Sequence, residues 1–75
     1  MITVKVVYES PGKPAEGKKV ALGKDGLLSG GVTRGKWTDS RGEAHFDTSP
    51  GHGKVFVSGS TEHEGYLSGR IVVYI

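Results

Sequence analysis

Seventy-five residues without a cysteine exclude a disulfide framework and a thiolate zinc site, and leave one domain with a thin core. Thirteen glycines, against an average share of about 7%, argue against helices and suit a protein rich in hairpins. The net charge of +2 is mild, and no run approaches the ~18 apolar residues of a membrane span.

The chain opens on strict alternation from Met1 to Tyr8, which predicts a strand with Ile2, Val4, Val6 and Tyr8 on one face. Ser10-Pro11-Gly12-Lys13-Pro14 ends it, because proline lacks an N–H and glycine frees φ. Lys18 to Leu22 predicts a second strand with Val20 and Leu22 inward, followed by a turn at Lys24-Asp25-Gly26. Leu27-Leu28-Ser29-Gly30-Gly31 reads either as a short strand or as a loop. Val32 to Thr38 predicts a third strand, in which a bulge at Gly35 would turn both Val32 and Trp37 inward. Asp39-Ser40-Arg41-Gly42 is a tight turn, with Asp at its first position and Gly at its last. Glu43 to Thr48 follows as a strand with Ala44, Phe46 and Thr48 on one face and Glu43, His45 and Asp47 on the other. Lys54 to Ser58 is expected as a strand, Gly59 to Gly65 as a polar connection, and Tyr66 to Ile75 as the region of the last strand.

Six or seven short strands at this spacing predict a single all-β domain over residues 1–75, a sandwich or a barrel. The terminal strands carry apolar residues on both faces. Val7 opposes the main face of the first, and Val72 and Tyr74 oppose Ile71, Val73 and Ile75 in the last. Strands of that kind are normally covered on both sides, so Val7, Val72 and Tyr74 are candidates for an interaction edge.

Three segments in order carry a resemblance: Pro14 to Leu22, Thr38 to Phe46, and Pro50 to Gly59. They follow a P-x-x-G-x-x-V entry, a T-D-x-x-G-x-x-x-F hairpin and a P-G-x-Y-x-V strand, although no aromatic stands in Gly53-Lys54-Val55 and Phe56 lies nearby. The pattern resembles the transthyretin-like or carboxypeptidase-regulatory-like β-sandwich, including Cna-B-type modules. The resemblance implies an antiparallel Greek-key sandwich of transthyretin or immunoglobulin type, with an accessory, adhesive or interaction role. Two specialisations of the family do not carry over. An intramolecular isopeptide bond needs Asn or Asp on the last strand, whereas the chain has no Asn and Tyr66 to Ile75 has no Asp. The hydroxyisourate hydrolase branch ends in Tyr-Arg-Gly-Ser, whereas this chain ends in Val73-Tyr74-Ile75.

Other motifs are weaker. Gly30 to Lys36 matches a phosphate-binding loop, but Trp37 replaces the metal-ligating hydroxyl and no helix is predicted to follow. His45, His52 and His63, with Glu62 and Glu64, could ligate a metal, but they lie on three segments without helical spacing and read as solvated. His45 and Asp47 share a face, but nothing marks a nucleophile. Lys13, Lys18, Lys19 and Lys24, with Arg34, Lys36 and Arg41, are interleaved with acids, which argues against nucleic acid. Trp37, Tyr66 and Tyr74 are candidate ligand contacts if exposed, although a lone Trp in a thin core more often packs inside. The expectation is a non-catalytic module without cofactor or metal, acting through a protein partner or a homodimer at a terminal strand. The alternative is a ligand-binding module for a glycan or, less favoured, single-stranded nucleic acid. A small hydrolase or metal-dependent enzyme stands third.

Overall fold

The computed structural model describes residues 1–24 and 32–75. Within them lie seven strands: β1 (Ile2–Val7), β2 (Lys19–Lys24), β3 (Lys36–Trp37), β4 (Glu43–Phe46), β5 (Gly51–Val57), β6 (Ser60–Leu67) and β7 (Arg70–Tyr74). They form two sheets, one ordered β4-β1-β7 and the other β3-β2-β5-β6. The alternation read from the sequence explains the core between them. Ile2, Val4 and Val6 of β1, Ala44 and Phe46 of β4, and Ile71 and Val73 of β7 point inward from one sheet. Val20, Leu22, Val55, Val57 and Leu67 meet them from the other. Each Val, Leu, Ile or Phe side chain among them contributes about 1.5–3 kcal/mol when fully buried, so a core this thin depends on every one.

The turn expected between Thr38 and Phe46 forms, but not a hairpin, because β3 and β4 belong to different sheets and the turn carries the chain from one to the other. Asp39 Oδ1 accepts from the backbone N–H of Arg41 at 2.9 Å and of Glu43 at 3.0 Å, and the Gly42 N–H donates to the Asp39 carbonyl. Gly42 is required twice over. Its φ is 75°, and a Cβ there would lie 2.5 Å from the Val6 carbonyl oxygen. Thr38 is buried, with its Oγ1 accepting from the Lys18 N–H and donating to the Ala15 carbonyl. That one hydroxyl ties the segment before β2 to the start of the turn between the sheets.

Several expectations change. β7 runs parallel to β1, whereas an all-antiparallel arrangement was expected. The reason is that Ser68 and Gly69 carry the chain from one sheet to the other, so no hairpin sets the direction of β7. Val32 and Trp37 both face solvent instead of turning inward. Trp37 pairs with Lys19, which faces outward because Val20 faces the core, and cross-strand partners share a face. Gly59 to Gly65 is mostly strand. Ser58 and Gly59 both adopt positive φ, 50° and 86°, and close a two-residue hairpin between β5 and β6. β5 begins at Gly51, earlier than expected, and β4 ends at Phe46. The expected turn at Lys24-Asp25-Gly26 and the Leu27-to-Gly31 segment run into residues outside those described.

Candidate functional site

Among the described residues the two sheets end in β3, β4, β6 and β7, and the first three of these edges are protected. β3 is two residues long and β4 four, with Glu43 and His45 on the outer side of β4. β6 is long, with eight residues, but it is broken by a bulge. Val55 pairs with His63 and Phe56 with Thr61, which leaves Glu62 as the extra residue. Glu62 and Glu64 add charge to the same edge. Short strands, bulges and charges are the usual ways by which sheets avoid pairing with other chains.

β7 is five residues long with one charge, Arg70, at its first position, and it carries no bulge. After Arg70 it reads Ile71, Val72, Val73, Tyr74, in unbroken register with β1. Among the described residues no strand pairs with its other side. Ile71 and Val73 are buried, whereas Val72 is 42% exposed and Tyr74 61% exposed. An apolar strand with an open edge offers backbone donors and acceptors in a row, flanked by side chains that lose little on being covered.

The outer face of the other sheet is different in kind. Trp37 is 67% exposed on β3, beside Lys19 on β2. Next to them lies an open cleft of about 450 Å³, lined by Lys19, Ala21, Val32, Thr33, Gly35 and Phe56. The Phe56 ring lies over Gly23, where a Cβ would come within 2.8 Å of it. Further along the face, Tyr66 meets the His52 ring edge-to-face with centroids 5.2 Å apart. Lys54 and Glu64 stand opposite each other between these aromatic groups.

The third constellation lies on the outer face of the first sheet. Thr3 Oγ1 and His45 Nδ1 are 2.9 Å apart, His45 Nε2 lies 3.7 Å from Glu43 Oε1, and Glu43 Oε2 is held by Arg70 at 3.2 Å. Asp39 brings a further carboxylate, so that Asp39, Glu43 and His45 place ligand atoms within 4.8 Å of one another. The two backbone N–H donors at Asp39, Glu43 first and then Arg41, hold its carboxyl below the usual carboxylate range. A hydroxyl, an imidazole and a carboxylate in sequence have the composition of a catalytic triad. The arrangement works against that chemistry. Glu43 is neutralised by Arg70, and Thr3 and His45 are ordinary cross-strand partners on a sheet surface. The set reads as a polar ladder that holds β4, β1 and β7 together.

The chain matches no family model, no curated protein and no solved structure.

Of the candidate ligand contacts, Trp37 and Tyr66 share the outer face of one sheet, while Tyr74 lies on the other sheet. Of the candidate interaction residues, Val72 and Tyr74 lie on the open edge. Val7 does not. β1 is the central strand of its sheet, and Val7 is 9% exposed with the Pro14 segment bridged to it. The chain thus covers this end of β1 with its own residues. The three histidines are not brought together: they lie on β4, β5 and β6, with His45 on a different sheet from His52 and His63. Asp39 takes the place beside Glu43 and His45 that was expected for Asp47. Its preference for a turn's first position, where the side chain folds back on the strand that follows, could have signalled this. Lys36 and Trp37, at the end of the phosphate-loop-like motif, form a strand, so no helix N-terminus stands there.

Proposed function

We propose that the chain is a non-catalytic interaction module that binds an extended protein strand along β7. The observation that carries this reading is the contrast among the edge strands of the described residues, of which β7 combines unbroken register, apolar residues after Arg70 and an open side. Strand addition draws affinity from backbone hydrogen bonds and selectivity from alternate side chains, and β7 offers Val72 and Tyr74 for the second purpose. The order of the three sequence motifs, together with two packed sheets, supports placing the module with the transthyretin-like or carboxypeptidase-regulatory-like sandwiches and a Greek-key path. The binding test is a titration of isotope-labelled protein with short peptides of alternating β-branched and polar residues. Slowed hydrogen exchange at the Val72 and Tyr74 amides, lost in Val72→Pro, is the expected result. Changes confined to other strands would remove the reading.

A second reading is favoured by one specific observation, the exposure of Trp37 beside a cleft. An exposed indole stacks on a sugar ring, and Lys19 supplies a polar neighbour. On this reading the outer face of the β2-containing sheet binds a glycan, with Phe56 and Tyr66 as further platforms. Single-stranded nucleic acid fits this face less well, because Glu64 stands opposite Lys54 along the same surface. The only tryptophan makes the test simple: its emission should shift with an oligosaccharide panel, and an unchanged spectrum throughout would set the glycan reading aside.

A further inference from the structure

We propose that the strand added to β7 is β7 of a second copy, paired antiparallel about a two-fold axis through Val72. The proposal rests on the strand-addition reading and deepens it by naming the partner and the register.

Backbone parity carries the argument. In a regular parallel ladder, alternate residues turn both N–H and C=O toward the same neighbour. The Gly69 carbonyl accepts from the Thr3 N–H at 2.8 Å. Ile75 donates to the Val7 carbonyl and accepts from the Glu9 N–H, both at 2.9 Å. The odd-numbered residues of β7 therefore face β1. Arg70, Val72 and Tyr74 turn their N–H and C=O groups to the open edge.

An antiparallel copy centred on Val72 sets Val72 against Val72, and Arg70 against Tyr74 of the second copy in both directions. In an antiparallel ladder, directly opposed residues whose polar groups face each other exchange two hydrogen bonds. All three outward residues of each copy are thus satisfied together. Moving the centre to Ile71 or Val73 leaves Tyr74 or Arg70 without a partner within the strand. The Val72 register alone overlaps all five residues of β7.

The side chains agree with this register. On the outer face Arg70, its guanidinium drawn toward Glu43, stands across from Tyr74 of the second copy, and no like charges are opposed. On the inner face Ile71 meets Val73 of the second copy, so the apolar layer continues across the axis. The combined sheet runs β4-β1-β7-β7-β1-β4, which leaves the two short β4 strands as its ends. Pairing therefore closes at two copies and does not propagate into a fibre. Five-residue strands bury less than the ~1,200 Å² lower bound of standard interfaces, so dissociation is expected at roughly 0.1–1 mM.

The chain has no cysteine, so one substitution supplies one thiol. Val72→Cys should form a disulfide-linked dimer about tenfold faster than Tyr74→Cys, because only residue 72 meets itself across the axis. Mixing Arg70→Cys with Tyr74→Cys chains should cross-link them to each other, more readily than either chain cross-links alone. Wild-type protein should sediment as a monomer–dimer mixture near millimolar concentration. Equal rates for Val72→Cys and Tyr74→Cys would overturn the register, and a wild-type monomer at millimolar concentration would overturn self-pairing. In that second case, peptide protection of the Val72 and Tyr74 amides would still stand for strand addition. Loss of both results would remove strand addition as well.

Discussion

β6 and β7 are consecutive in the chain and each ends its sheet on one side, yet they treat solvent in opposite ways. β6 carries Glu62 and Glu64 and breaks its ladder at a bulge. β7 keeps unbroken register and, after Arg70, carries only apolar residues and a tyrosine. Both face the same core, β6 through Leu67 and β7 through Ile71 and Val73. The difference therefore lies in the edge and not in the contribution to the fold. An edge left uncharged and open is the one most able to pair with another strand, as the proposed strand addition requires.

The largest effects should come from the inward side, where the two strands are alike. Leu67→Ala should cost about 2–5 kcal/mol and Val73→Ala about 2 kcal/mol, read by chemical denaturation. A domain this small has only about 5 kcal/mol or a little more to lose, so Leu67→Ala should leave much of the population unfolded. If either change proved neutral, the shared core would not be the common ground on which the two edges are compared.

Edge substitutions come next, and they should separate stability from association. Val72→Lys adds one charge to the open edge. It should change stability by no more than about 0.5 kcal/mol, while sedimentation shows self-association lost. The reverse exchange removes protection from β6. Glu62→Val with Glu64→Val should create a second adhesive edge and higher oligomers, with the bulge limiting how well it pairs. Association that survives Val72→Lys would break the contrast. Trp37→Ala, on the exposed face of the other sheet, should leave both stability and self-association nearly unchanged.

The smallest effect concerns the Asp39 turn that leads into β4. The Asp39 carboxyl titrates below its ordinary value of 3.8 because two backbone N–H groups bond its charged form. Its stabilisation is fully present above 3.8 and fades as the pH falls through the lower folded-state value. Asp39→Asn should flatten that part of the acid dependence of stability, and an unchanged acid profile in the variant would show that the turn bonds carry no linkage.

Local features were legible in the chain, and relations between distant segments were not. The alternation in β1 and β2, the Asp39 turn with Gly42 at its end, and the inward Ala44 and Phe46 all follow from spacing and turn chemistry, and the structure holds them. β6 is polar because it is a guarded edge, so a search for apolar alternation passes over it. Ser58-Gly59, a dipeptide that marks turns, was the signal that could have found it. Trp37 faces outward because of its pairing with Lys19, which parity within its own segment does not contain. The two-sided apolar character of β1 and β7 was visible from Val7, Val72 and Tyr74. Which of the two strands is central depends on sheet order, a property of the whole chain.

The central claim is that β7 pairs and β6 does not. Amide hydrogen exchange, followed residue by residue from dilute to millimolar protein, tests it most directly. The account predicts that exchange slows at Arg70, Val72 and Tyr74, while Glu62 and Glu64 on the guarded edge stay as they were. Slowing at β6, or a concentration dependence that leaves β7 untouched, would contradict it.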